Sequence, residues 1–93
     1  MYARLVRFSL ADGKQSAAQA LADELAPEIE KQPGCHGVTV FADEGGEAGL
    51  FVLWDTEEHA NAAAQVIRPQ LEQHLAGNIQ GPPDARLFQV LSK

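Results

Sequence analysis

Gly49-Leu50-Phe51-Val52-Leu53-Trp54-Asp55-Thr56-Glu57-Glu58-His59 is the stretch that decides the fold. Its large apolar residues, Leu50 to Trp54, stop abruptly at Asp55-Thr56, and a helical pattern follows. Such a run reads as a strand buried on both faces that feeds directly into a helix. Asp55 or Thr56 is the expected cap, Asp55 and Glu58 have capping-box spacing, and Glu57 and Glu58 fall in the first turn, where the helix dipole favours carboxylates. Ala60, Ala63, Ala64, Ile67, Leu71 and Leu75 recur at helical spacing and form the inward stripe. Pro69 predicts a break into a longer and a shorter helix, the second ending at Gly77.

Upstream, Cys35 to Ala42 alternates as a strand, with Val38, Val40 and His36 on one face and Cys35, Thr39 and Phe41 on the other. The glycine-rich Asp43-Glu44-Gly45-Gly46-Glu47 then predicts an antiparallel hairpin into the central strand. Its carboxylates lack the regular donor spacing of a calcium loop. Residues 2 to 10 form another strand, with Tyr2, Val6, Phe8 and Leu10 sharing a face and Arg4 and Arg7 interrupting opposite faces. Between these strands a helix is expected from Lys14 to Lys31, capped by Asp12, with Ala18, Leu21, Leu25 and Ile29 buried. Pro27 should bend it between Asp23 and Ala26, and Pro33-Gly34 should end it. Downstream, Gly81-Pro82-Pro83-Asp84 reads as a rigid loop and Ala85 to Leu91 as the last strand.

The order is β-α-β-β-α-β. Right-handed crossovers then give an α+β, ferredoxin-like domain, a four-stranded antiparallel sheet with both helices on one face. The central strand is apolar on both faces, so the helices leave one apolar face uncovered. Leaving several such residues in water would forgo roughly 1.5 to 3 kcal/mol each. A second copy of the sheet is therefore expected to cover that face, as a homodimer packed about a twofold axis.

Composition excludes several classes of function. The 93 residues suit a single domain spanning 1–93. Against 13 acidic residues stand 7 basic ones, for a net charge of -6 and no Lys/Arg cluster, which argues against nucleic acid. No apolar run approaches the ~20 residues of a membrane span, and no signal segment opens the chain. Cys35 is the single cysteine and cannot form an internal disulfide, which suits a cytoplasmic location. No Cys-x-x-Cys, phosphate-binding loop or dinucleotide fingerprint occurs. His59 and His74 would lie about 22 Å apart on a straight helix, too far to share one ion, so no metal is expected.

The element order, the Gln32-Pro33-Gly34-Cys35-His36-Gly37 entry to the second strand, and the Leu53-Trp54-Asp55-Thr56-Glu57-Glu58-His59-Ala60 junction carry a resemblance. They are similar to the antibiotic biosynthesis monooxygenase domain of the dimeric α+β barrel superfamily. The resemblance implies a dimeric barrel. It also implies a cofactor-independent monooxygenase that deprotonates a small hydroxy-aromatic or quinol compound and lets the carbanion reduce oxygen. Such a site needs only an apolar pocket and a few donors for an oxyanion, with or without a base. The superfamily also holds isomerases, members without known activity and haem-degrading enzymes. The haem-degrading pattern is missing here, because residues 1 to 60 contain no Asn, Trp54 ends a strand, and the position ten beyond it is Ala64.

On that implication His74, His59 and Arg7 are the catalytic candidates, and Tyr2, Arg4, His36 and Trp54 would surround the substrate, with no metal or other cofactor. Each has a structural alternative: core packing for Trp54, a solvated first turn for His59, a helix C-terminus for His74, and a salt bridge or edge for the arginines. Two other functions stay open, a non-catalytic dimeric module that binds a small apolar ligand or responds to stress, and a structural domain with a filled core. A cavity of about 300 Å³ or more between sheet and second helix, reached by at least two of Arg4, Arg7, His36, His59 and His74, would favour the monooxygenase or the ligand-binding module over the structural domain.

Overall fold

Seven elements follow one another in the computed structural model, which describes residues 1–92: β1 (Tyr2–Leu10), α1 (Ser16–Glu24), α2 (Ala26–Glu30), β2 (Cys35–Ala42), β3 (Glu47–Trp54), α3 (Glu57–Leu75) and β4 (Ile79–Gln89). The strands form one antiparallel sheet in the order β2-β3-β1-β4, the split βαβ arrangement expected of an α+β, ferredoxin-like domain. The two most apolar strands, β1 and β3, take the centre. Their helix-side residues Val6, Phe8, Leu50, Val52 and Trp54 pack against Leu21, Leu25 and Ile29 of the first helical segment and Ala60, Ala63 and Ile67 of α3. No described helix is long and apolar enough to cross a membrane.

The first helix bends where expected. α1 and α2 meet at Leu25, two residues before Pro27, whose missing N–H and ring disrupt the regular turn, while Leu25 itself stays buried. Its start differs from the expectation. Asp12 does not cap it; the chain turns at Asp12-Gly13, where Gly13 adopts φ 78°, and α1 begins at Ser16 without a side-chain cap.

Three further differences have physical causes. α3 continues through Pro69 as one helix. Pro69 and Gln65, whose carbonyl loses its donor, are both exposed, so water can satisfy that carbonyl, while Ile67, Leu71 and Leu75 anchor the helix on either side of the proline. In β2 the register jumps from Cys35↔Trp54 to Gly37↔Leu53. The extra residue, His36, points to solvent, and the bulge returns Cys35 to the core face beside Val38 and Val40. Strand β4 starts at Ile79, earlier than the sequence suggests, and ends at Gln89. Its pairing with β1 skips from Gln80 to Asp84, because Pro82 and Pro83 have no N–H to give to a ladder and bulge outward from an edge strand.

The face of the sheet away from the helices carries Leu5, Phe41, Phe51, Leu53 and Phe88. Phe41, Phe51 and Phe88 are 36%, 37% and 45% exposed. Leu5 lies opposite Phe51, and Ala3 sits between Leu53 and Phe88, so these side chains form one contiguous apolar surface. Gly49 shapes it. A Cβ at this position would run into the Val6 carbonyl oxygen and the Phe41 ring. Only glycine lets the Phe41 ring lie across the neighbouring strand. Gly49→Ala is expected to destabilise the fold by about 2 kcal/mol or more in urea unfolding. Gly45→Ala, in the exposed hairpin turn, should change stability by less than about 0.5 kcal/mol.

Candidate functional site

The helix that follows β3 is placed by its cap. The Thr56 hydroxyl accepts a hydrogen bond from the His59 backbone N–H at 3.1 Å, so Thr56, not Asp55, starts α3. This start fixes which residues of α3 face the sheet. Ala60 and Ala64 fall over Trp54 and Val52, and side chains this small leave space beneath the helix. The result is a cavity of about 80 Å³ between α3 and the helix side of the sheet, walled by Leu50, Val52 and Trp54 and by Ala60, Ala64 and Ile67, and open to solvent on one side. The Trp54 indole is 2% exposed, and its Nε1 is buried without a hydrogen-bond partner among the described residues.

Two charged residues, Arg4 and Arg68, line this otherwise apolar space. Arg4 stands on the helix side of β1 between Val52 and Leu87, and its Nη2 donates to Asn61 Oδ1 at 3.2 Å. Burial, and after it the charge of Arg68, push the Arg4 guanidinium below its ordinary pKa. Arginine nonetheless remains charged at neutral pH. Arg7 pairs with Glu47 and Arg86 with Asp84, but no carboxylate pairs with Arg4 or Arg68 among the described residues. Thus two arginines line an apolar cavity with no carboxylate paired to either among the described residues, in a chain where acidic residues outnumber basic ones 13 to 7. That arrangement favours an anion, or a group that becomes anionic.

The cavity is smaller than the expectation. Apolar cavities of about 150 Å³ take up benzene, so a ring enters this space of about 80 Å³ only with movement of a lining side chain. Arg68, long and exposed, is the lining residue freest to move. Of the five polar residues named for such a space, Arg4 alone reaches it.

The remaining candidates lie elsewhere. Arg7 is on the outer face, with Nη2 2.6 Å from Glu47 Oε1. His36 is on the exposed bulge of β2. His74 is half-buried in the last turn of α3, where its carbonyl accepts from Asn78 Nδ2 at 2.7 Å. Tyr2 is half-buried at the start of β1, across from Trp54 and Gln89, and does not line the cavity. His59 Nδ1 lies 2.7 Å from Asp55 Oδ1 at the start of α3, packed over Gly34, whose φ of 83° and missing Cβ leave room for the pair. No group of three metal-ligating side chains occurs among the described residues. The structure therefore brings Arg4 and Trp54 together and adds Arg68 and Asn61, which reasoning from the sequence missed. Their signal was present: Asn61, Ala64, Arg68 and Leu71 are spaced by three, four and three residues, the flank of the inward stripe. A second, more open depression of about 200 Å³ lies at the far end of α3, with Glu72 as its one charged lining residue.

A split βαβ sheet covered on one face, with a small apolar cavity under α3, defines a ferredoxin-like α+β domain. The chain belongs to the antibiotic biosynthesis monooxygenase family, which matches residues 1–66. The matched segment includes Arg4, Trp54 and Asn61 and stops short of Arg68. Among solved structures, a protein of unknown function from Nitrosomonas europaea superposes with a TM-score of 0.87 at 18% identity, over 99% of this chain and 90% of that one. The cofactor-independent oxygenase SnoaB from Streptomyces nogalater gives 0.79 at 14% identity, over 99% and 94%. A monooxygenase from the ActVA-Orf6 gene of Streptomyces coelicolor, in complex with nanaomycin D, gives 0.77 at 22%, over 99% and 88%. At these identities the likeness is one of fold. Among curated proteins none matches the chain in sequence.

The Asp55 carboxyl is held below its ordinary value of 3.8, first by the hydrogen bond from the His59 ring. A depressed carboxylate pKa stabilises the fold above the unfolded-state value, and this contribution is lost as the pH falls through the folded value. An NMR titration should place Asp55 below 3.8, and His59→Gln should move it upward. A wild-type value at or above 3.8 would mean that the pair does not form in solution.

Proposed function

We propose that the chain is a cofactor-independent monooxygenase that oxidises a small hydroxy-aromatic or quinol compound in the cavity between the sheet and α3. The observation that carries this reading is the uncompensated pair Arg4 and Arg68 on an apolar cavity walled by Trp54. An aromatic hydroxyl placed beside the two guanidiniums would ionise more readily, because their charges stabilise the phenolate in surroundings of low polarity. Among the described residues no imidazole or carboxylate lines the cavity, so the proton would leave to water at the open side. The phenolate carries carbanion character on the ring, where carbon donates electrons to oxygen and forms a C–O bond. The resulting hydroperoxide loses water, so one oxygen atom stays on the ring as a quinone oxygen and the other leaves as water. Trp54 would flank the ring, and Asn61 would hold Arg4 in place.

The exposed apolar face of Leu5, Phe41, Phe51, Leu53 and Phe88 supports a homodimer in which two sheets pack face to face. The cavity lies on the opposite side of the sheet, so each protomer would keep its own. Cys35 as the only cysteine, half-buried and free, accords with a cytoplasmic location. A second reading is a non-catalytic dimeric module that binds a small apolar ligand. The lack of an imidazole or carboxylate on the cavity favours it.

Oxygen uptake with hydroquinone, with label from ¹⁸O₂ in the product, tests the enzymatic reading. Arg4→Gln should lower kcat/KM by about tenfold to a hundredfold, while His36→Ala and His74→Ala leave it within about twofold, since neither side chain reaches the cavity. Binding of hydroquinone without oxygen uptake would favour the non-catalytic module.

A further inference from the structure

Arg4 and Arg68 reach the cavity from different elements, β1 and α3, and their guanidiniums are close enough for one charge to disfavour the other. The fold tolerates this repulsion without supplying a carboxylate. Glu57, Glu58 and Glu72 all lie on α3, yet none pairs with either arginine. A phenolic hydroxyl ionises near a pH of about 10, so a simple quinol arrives neutral and gains little from two cations at the moment of binding. A single ring, admitted when the exposed Arg68 side chain shifts, with an oxyanion at the open side, satisfies both halves of the site.

We infer that the ligand is a single-ring hydroxy-aromatic acid, its ring directed toward Trp54 and its oxyanion, a carboxylate or phosphate, held between Arg4 and Arg68. Asn61 is the positioning residue, through its hydrogen bond to Arg4. The inference rests on the cavity being the ligand site, as in the proposed function, and not on the oxidation. It sets size and charge as the selective features: the cavity of about 80 Å³ disfavours fused rings, and the arginines disfavour neutral compounds. Arg4 lies inside the residues 1–66 matched by the family and Arg68 just beyond them.

The test is calorimetric titration of the intact protein with 2,5-dihydroxybenzoate, phenyl phosphate and hydroquinone, followed in parallel by the fluorescence of Trp54, the single tryptophan. At least one acid should bind about tenfold or more tightly than hydroquinone, and Arg68→Gln should remove that preference. Arg68→Lys should retain part of it. Arg68 is exposed, so these variants should keep the wild-type melting temperature; Arg4→Gln is the second variant, expected to act in the same direction. Equal binding of acids and hydroquinone, or a preference that survives Arg68→Gln, overturns the inference while hydroquinone oxidation still reports on the proposed function. Tight, arginine-dependent binding of an acid with no oxygen uptake upholds the anion site and refutes the oxygenase. Failure of all three compounds to bind overturns the anion site as well.

Discussion

Strand β3 is apolar on both faces, whereas every helix of the fold packs on one side of the sheet, and most of the architecture depends on that mismatch. On the helix side Leu50, Val52 and Trp54 are almost fully buried. On the other side Phe51 is 37% exposed, and Leu5, Leu53, Phe41 and Phe88 surround it. A surface of this kind is costly in water in proportion to its area. Gly49 accentuates it, because the missing side chain lets Phe41 lie flat against the adjoining strand. The face is therefore shaped, contiguous and apolar, with the Arg7–Glu47 ion pair as a polar margin.

The same strand fixes the cavity. Because β3 ends at Trp54 and Thr56 caps α3 within two residues, α3 has little freedom in how it is phased over the sheet. That phase puts Ala60 and Ala64 over Trp54, and the shortfall in side-chain volume appears as the cavity. Arg4, beside Val6, is the charged residue of β1 that lines this gap, and Arg68 meets it from α3. The chemistry of the site thus comes from two charged residues where packing alone would select apolar ones.

The fold was legible because its signals are periodic. The β-α-β-β-α-β order, the buried stripe of Ala18, Leu21, Leu25 and Ile29, the bend near Pro27 and the hairpin at Gly45-Gly46 all follow from spacing and breaker residues. Misreadings arose where one residue competes with a longer-range contact. Pro69 forecasts a break that the packing of Ile67 and Leu71 overrides, and the bulge at His36 inverts a face assignment that strict alternation makes for Cys35. The site was less legible. Arg4 and Trp54 could be picked out as unusual for their positions, but Arg68 acquires meaning only once α3 is laid over β1. His36, His59 and His74 attract attention by chemical type, whereas the structure distributes them over a bulge, a helix start and a helix end.

Sedimentation equilibrium of the purified protein at micromolar concentration tests most directly whether the uncovered sheet face governs this architecture. A particle of twice the chain mass, converted to a monomer by Phe51→Asp without loss of secondary structure, is the predicted result. A wild-type protein that sediments as a stable monomer would contradict it, and would mean that the fold tolerates Phe51, Phe88 and their neighbours in water.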